Sequence, residues 1–294
     1  MGSPDRERAH TARVTSVVIP AHNEAPVLGR LLSGLLDDAR PGEFDVVVVA
    51  NGCTDETESV ARAHGVRVLS TPVASKREAL RLGDRAARGF PRLYVDADVT
   101  LSTAGARALV ARLGGPGALL AAAPERDLAL AGRPWTVRAY YAIWTRLPHV
   151  RRGLFGRGVI AVTEEGNDRI RALPPVMADD LAASLAFGEG ERVVVAEARA
   201  GIQTPRTFAD LLRRRVRAAT SVSELERETG PGGPSARTSL GDLVRIAARE
   251  PWLLPAAAVF ACVTVLARRR ARHAVRAGDY TTWLRDESSR APGA

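Results

Sequence analysis

The first hundred residues alternate short β-branched apolar runs with amphipathic stretches of about a dozen residues, and this alternation restricts the fold more than any other feature. VTSVVIP (Val14 to Pro20) and FDVVVVA (Phe44 to Ala50) are apolar on both faces, as strands covered on two sides must be. VRVLS and RLYVD read as a third and a fourth strand. Between them, APVLGRLLSGLLDDA carries leucines at helical spacing. TDETESVARAHG opens on a cap-type Thr54, has acids in its first turn and stops at Gly65, and SKREALRLGDRAARG reads as a third helix. Repeated strand-helix units of this size predict an α/β fold, a mainly parallel sheet flanked by helices.

In such sheets ligands bind at the carboxyl ends of strands, near the point where strand order reverses. The polar residues gather there: PAHNE after the first strand, NGCTDET after the second and DADV after the fourth. NGCTD alone is explained by a turn and a helix cap, and Asp98 or Thr100 could cap the helix that follows. Asp96 and Asp98 together demand more. In an extended chain residues two apart point the same way, and two carboxylates in one small volume hold a shared proton unless a cation neutralises them. A hard divalent ion such as Mg²⁺ takes one or two protein carboxylates and completes its shell with water and phosphate oxygens, so the pair suits a metal-diphosphate. DADVTL also fits the Asp-x-Asp-x-Thr-Leu nucleophile loop of haloacid-dehalogenase-like phosphatases. That chemistry places the loop after the first strand and uses a later lysine. Here three strands precede it, and Lys76, the only lysine, lies upstream.

Composition narrows the partners. The 294 residues are 46% hydrophobic and 26% charged, enough for one large core or two modest ones. The formal net charge of +9 is carried almost wholly by arginine, which points to an anionic partner or surface. Nucleic acid is disfavoured: only 5% of residues are aromatic, and there is neither zinc-finger spacing nor a basic zipper. Cys53 and Cys262 form no metal or disulfide pattern, which suits a reducing cytoplasm. Residues 1–13 are polar and read as a loose tail rather than a signal or an anchor.

VTSVVIPAHNE, FDVVVVANGCTDET, SKREALRLG and RLYVDADV, in this order, resemble the nucleotide-sugar-binding half of a family 2 glycosyltransferase of the GT-A type. The likeness is good from Val14 to Leu101 and looser to about Thr229. It implies a GT-A, Rossmann-like domain over residues 14–228 and an inverting transfer from a nucleotide-diphosphate sugar to a hydroxyl acceptor, which could be a glycan, a lipid or a small molecule. It also implies a divalent ion, Mn²⁺ or Mg²⁺, held chiefly by Asp98, with Asp96 toward the ribose. Pro20, His22, Glu24, Asn51, Asp55 and Lys76 would line the nucleotide. UDP is the first expectation, with GDP and dTDP open, because relatives carry an acid where this chain has Ala50-Asn51; an Asn offers both a donor and an acceptor to a base edge. In PPVMADDLAASLAFGEG, Asp179 and Asp180 stand where the family has Glu-Asp, which makes Asp180 the catalytic base. TFADLLRRRVRAATS lies where processive relatives have Gln-x-x-Arg-Trp, but lacks the Gln and the Trp, which argues against a polymer synthase. Arg213, Arg214, Arg215 and Arg217 would then neutralise the departing diphosphate or form a solvated basic face. A non-catalytic nucleotide-sugar binder on the same fold is the rival from another class.

Residues 229–294 read as a linker followed by a helical extension. PWLLPAAAVFACVTVLARRRAR has an uncharged run from Pro251 to Ala267, short for a membrane span. A span would leave RRRARHAVR on the far side, against the positive-inside tendency. Three placements satisfy the sequence better: a helix lying on the anionic cytoplasmic face of a membrane, a hairpin with Leu240 to Ala248, or an ordinary core helix.

Overall fold

The computed structural model describes residues 14–115, 117–173, 179–229 and 238–276; the sequence-stretch reading of residues 1–13 as a tail and most of the expected linker lie outside the described residues. Strands β1 (Thr15–Ala21), β2 (Phe44–Asn51), β3 (Arg67–Thr71) and β4 (Arg92–Val95) lie in the order β3-β2-β1-β4, all parallel. Helices α1 (Ala25–Leu36), α2 (Thr57–Ala63) and α3 (Lys76–Ala86) connect them. All of β1 is buried, as a doubly covered strand requires. The leucines of α1 form its inner stripe: Leu28, Leu31, Leu32 and Leu35 are fully buried, each stabilising the fold by about 1.5–3 kcal/mol. The chain steps from β1 through β2 to β3 in one direction and returns for β4 on the other side of β1. The strand order therefore reverses between the carboxyl ends of β1 and β4.

The sheet continues through β5 (Thr100–Leu101), β6 (Ala121–Ala129), β7 (Val159–Val162) and β8 (Arg192–Gln203), and its full order is β3-β2-β1-β4-β7-β6-β8-β5. β7 runs antiparallel to both neighbours and β5 antiparallel to β8, while β6 and β8 pair in parallel, so the second half of the sheet is mixed. Only four residues separate β4 from β5, yet three strands lie between them in the sheet. Four strand spacings of about 4.8 Å would set them roughly 19 Å apart in a flat sheet. Residues 96–99 cannot reach that far, because they turn: the Val99 N–H donates to the Asp96 carbonyl at 3.4 Å. The sheet must curl, and the DADV segment sits at the mouth of the curl.

Helix α4 (Thr103–Gly114) is capped by Ser102, whose Oγ accepts the Gly105 N–H at 3.0 Å, rather than by Asp98 or Thr100. The second half also holds α5 (Trp135–Trp144), α6 (Pro148–Arg152), α7 (Glu164–Arg171), α8 (Asp179–Leu185), α9 (Phe208–Thr229), α10 (Leu240–Arg249) and α11 (Leu254–Arg276). Ala256, Phe260, Val263, Ala267 and Ala271 recur on one face of α11 and are buried against α5 and α9. Phe260 stacks on Tyr140 with ring centres 5.0 Å apart, and Arg146 grips Glu250 through two hydrogen bonds of 2.7 and 2.8 Å. The stretch Pro251–His273 is long and apolar enough to cross a membrane, but this face is spent on protein contacts. Trp252, Leu254 and Val265 point outward and are exposed.

Candidate functional site

The loops after β1 and β2 are laced together. Asn23 adopts the left-handed φ of 52° that a short amide side chain tolerates, and its Oδ1 accepts the Thr54 N–H at 2.8 Å. Thr54 is thereby a loop brace and not the cap of α2, which begins at Thr57. Asp55 does the capping: its Oδ1 accepts from the Thr57 N–H and hydroxyl, at 3.1 and 2.5 Å, and its Oδ2 from the Ala25 N–H at 3.1 Å. Burial works to raise the Asp55 pKa. The Thr57 hydroxyl and the backbone N–H groups of Ala25 and Thr57 outweigh it and hold the carboxyl below its ordinary value. The Glu24 N–H donates to Thr57 Oγ1 at 2.8 Å, and Glu24 is buried. His22 Nδ1 lies 2.5 Å from the Asn51 carbonyl, so Nδ1 carries the proton in that bond.

Asn51 is 3% exposed, and its Nδ2 donates to the Ala21 carbonyl at 2.8 Å and to that of Val49 at 3.4 Å. A side chain turned into the strand ends is a clamp between β1 and β2. The base-edge contact expected from its donor and acceptor does not match this orientation of the amide hydrogens.

Asp96 follows β4 at the switch point. Its backbone N–H donates to the Gly158 carbonyl at 2.7 Å, and its Oδ1 accepts from Lys76 Nζ at 2.7 Å. The turn over residues 96–99 corrects the expectation of an extended segment, because the chain must fold back there to reach β5. Burial still alternates: Ala97 and Val99 are buried, whereas Asp96 and Asp98 are half-exposed. Gly158 makes the close approach feasible. It has φ 66°, and a Cβ there would sit 2.3 Å from Val99 Cγ1.

Asp96 and Lys76 line two cavities at once. One, of about 460 Å³, lies between α3, β4, β7 and α8 and reaches Pro20, Tyr94 and Gly158. A buried ion pair at its base, Arg92 to Asp84 at 2.7 Å, holds α3 to β4. The other, of about 470 Å³, lies between α5, α9 and α11 and is lined by Tyr140, Trp144, Phe155 and several arginines. Arg126 fixes one wall by donating to the Val150, Phe155 and Gly156 carbonyls while packing 4.8 Å over the Trp144 ring. Arg157, fully buried, donates to the Gly153, Pro124 and Arg151 carbonyls.

The structure thus brings Pro20, Lys76 and Asp96 onto one cavity and sets His22, Glu24, Asn51 and Asp55 in the adjoining loop network. Asp98 lines neither cavity. Asp179 and Asp180 open α8, but their side chains lie outside the described residues. Arg214, Arg215 and Arg217 face the larger cavity, whereas Arg213 is turned to Asp210. Among the described residues no three His, Cys, Asp or Glu side chains converge as a metal-ligand set. Sequence reasoning missed Asn23, Gly158, Arg126 and the aromatic wall of α5. Only the last left a signal, the aromatic density of WTVRAYYAIW.

Comparison with known proteins gives this arrangement its context. A mannosyltransferase from Pyrobaculum calidifontis in complex with GDP-Man and Mn²⁺ superposes with a TM-score of 0.58 at 20% identity, over 95% of this chain and 85% of that one. Glucosyl-3-phosphoglycerate synthase from Mycobacterium tuberculosis, in complex with Mn²⁺, UDP and phosphoglyceric acid, gives 0.56 at 21% identity, over 78% and 82%. These likenesses establish the GT-A fold. The 4,4'-diaponeurosporenoate glycosyltransferase of Staphylococcus aureus (strain USA300) is 39% identical over 57 residues, which are 19% of this chain and span only 15% of that relative's length. The model of glycosyl transferase family 2 matches residues 16–165, half of the chain, which excludes the phosphatase reading of DADVTL. The chain belongs to glycosyl transferase family 2, whose members transfer sugars.

Proposed function

We propose that this protein moves a sugar from a nucleotide-diphosphate sugar to a hydroxyl acceptor with inversion at the anomeric carbon. The observation that carries the reading is Asp96. It stands at the strand-order reversal, paired to Lys76, on the wall between two cavities of donor and acceptor size. The ligands in the two structural neighbours support a nucleotide-sugar donor and a divalent ion, with UDP or GDP as the nucleotide.

Asp96 and Asp98 fit Mn²⁺ or Mg²⁺ by donor chemistry. Both offer hard oxygens at a half-exposed turn, and since no three His, Cys, Asp or Glu side chains converge among the described residues, diphosphate and water would complete the shell. When bound, the ion supplies charge neutralisation of the diphosphate leaving group. Lys76 adds a fixed positive charge beside Asp96, and Asp55 holds the loop at the amino end of α1 in place. Asp180 takes the proton from the acceptor hydroxyl as its oxygen attacks the anomeric carbon from the face opposite the nucleotide. Exposed Leu240 and Val244 on α10 and Trp252 and Leu254 at the entry to α11 would form the apolar part of a surface for the anionic cytoplasmic leaflet.

The test is Asp180→Asn in the full chain. A general base acts mainly in the transition state, so donor binding should persist while transfer, or donor hydrolysis with water in the acceptor's place, falls roughly 10²–10⁴-fold. Asp179→Asn should cost less. Full activity in Asp180→Asn refutes the base assignment. A wild-type protein that binds nucleotide sugar but neither transfers nor hydrolyses it is the non-catalytic binder instead.

A further inference from the structure

The cavity between α5, α9 and α11 has a lopsided charge. Arg214, Arg215 and Arg217 reach it from α9, and Arg268 and Arg272 from α11, while among its described lining residues Asp96, already paired to Lys76, is the one carboxylate. Some of this charge is committed: Arg214 donates to the Gln203 carbonyl at 3.0 Å, and Arg215 lies 5.6 Å over the Tyr140 ring. Arg268 and Arg272 are different. They stand one turn apart on the exposed rim, next to Ala267 and Ala271, which are buried against α9, and among the described residues no carboxylate pairs with either. Packing of α11 therefore holds two guanidinium groups at the rim of a cavity that the Lys76–Asp96 pair also lines.

His149 lines the same cavity, and burial lowers its pKa; Asp242 pulls the other way, and the Arg215 and Arg126 charges lower it further. Two guanidinium groups such as Arg268 and Arg272, held at one cavity with no carboxylate partner among the described residues, are stabilised by an anion from outside. A guanidinium fork fits two oxygens of a phosphate, and several forks around one cavity suit a dianion better than a single carboxylate.

We propose that this cavity is the acceptor site and that the acceptor is a hydroxyl compound bearing a phosphate group, gripped by Arg215, Arg268 and Arg272. The aromatic wall of Tyr140, Trp144 and Phe155 packs the rest of the molecule, and the hydroxyl points toward Asp96. This rests on the glycosyl-transfer reading and assigns its acceptor class. It also gives the C-terminal helix, which lies beyond the matched residues 16–165, a part in specificity.

The experiment compares the full wild-type chain with Arg268→Ala/Arg272→Ala and with the corresponding double lysine variant. Both positions are exposed, so the fold should survive. Three probes are titrated calorimetrically: glycerol 3-phosphate, vesicles of phosphatidylglycerol against phosphatidylcholine, and UDP or GDP with Mn²⁺. Either phosphate probe should bind wild type and lose about tenfold or more in affinity in the double alanine variant, because two charge-assisted contacts go. The lysine variant should recover part of the loss, since it keeps charge but not the fork. Binding of soluble glycerol 3-phosphate identifies a free phosphoester; binding of phosphatidylglycerol vesicles alone identifies a lipid headgroup. Nucleotide affinity should stay within about twofold, because these arginines sit on the acceptor side. The proposal is overturned if wild type binds neither phosphate probe, if the variants bind them equally well, or if nucleotide affinity falls in step, which would give the arginines to the donor diphosphate. Failure of the transfer reading itself looks different: wild type would bind no nucleotide while the phosphate titrations still read out.

Discussion

Replacing Lys76 by methionine separates a functional charge from a structural brace. The Nζ to Oδ1 distance to Asp96 is 2.7 Å, but the two side chains are 36% and 39% exposed. A pair so open to water contributes at most about 1 kcal/mol to folding. For a chain of 294 residues, 1 kcal/mol corresponds to a shift in Tm of about 2 °C, so Lys76→Met should unfold almost where wild type does. Its effect on the donor should be far larger. A charged contact to diphosphate is worth about 1.5–3 kcal/mol, which is roughly a 10- to 150-fold loss in affinity. The same change leaves Asp96 without its ammonium partner, so Mn²⁺ alone should bind as tightly as before or more tightly. Calorimetric titration of Mn²⁺, then of UDP or GDP in its presence, gives both numbers alongside a thermal melt. Undiminished nucleotide affinity together with a drop in Tm beyond about 5 °C would refute the reasoning and make the pair a strut between α3 and β4.

Asp98→Asn should weaken Mn²⁺-dependent nucleotide binding by about an order of magnitude or more with the fold intact, and unchanged titrations would end its role as a ligand. Gly158→Ala places a Cβ 2.3 Å from Val99 Cγ1 at φ 66°. Left-handed strain plus overpacking should destabilise by about 2–5 kcal/mol, read from the urea midpoint, and a neutral result would mean that the turn gives way freely. Glu43 is gripped by Arg107, with help from the Arg40 N–H, and its pKa falls from 4.5 to about 2. The folded value lies below the unfolded one, so this stabilisation is full above pH 4.5 and is lost as pH falls toward 2. Glu43→Gln should accordingly differ from wild type in urea midpoint at pH 7 and converge with it near pH 2; a constant gap would disprove the linkage.

What was legible in the sequence follows from how local each cause is. Strands β1, β2 and β4 are runs of apolar residues whose pattern needs no partner to be read, and they form within a residue or so of the expected limits. The caps fared less well, because the cap of α2 depends on which loop lies opposite. Thr54 has the right chemistry, but Asn23, some thirty residues away, takes it up, and Asp55 closes both α2 and the start of α1. The same reasoning explains Asn51: an amide next to a turn can read a base, until the neighbouring strand presents the Ala21 carbonyl.

The second half was harder for a different physical reason. Its strands pair across long intervals, β8 with both β6 and β5, and no sequence period announces a partner. The extended reading of DADV failed on a topological constraint, since β5 belongs to the far edge and the chain must turn to reach it. That turn has a consequence for the site. A carboxylate on an extended strand would face one side of the sheet, whereas Asp96, held by Lys76 and by the Gly158 carbonyl at the mouth of the curl, opens onto two cavities. On the proposed mechanism a transferase needs that kind of residue where donor and acceptor meet. The curl that draws β5 back toward β4 is what opens Asp96 onto both cavities, while α11, whose sequence alone is equally consistent with a membrane surface, closes the cavity proposed for the acceptor by burying Phe260, Val263 and Ala267 against α5 and α9.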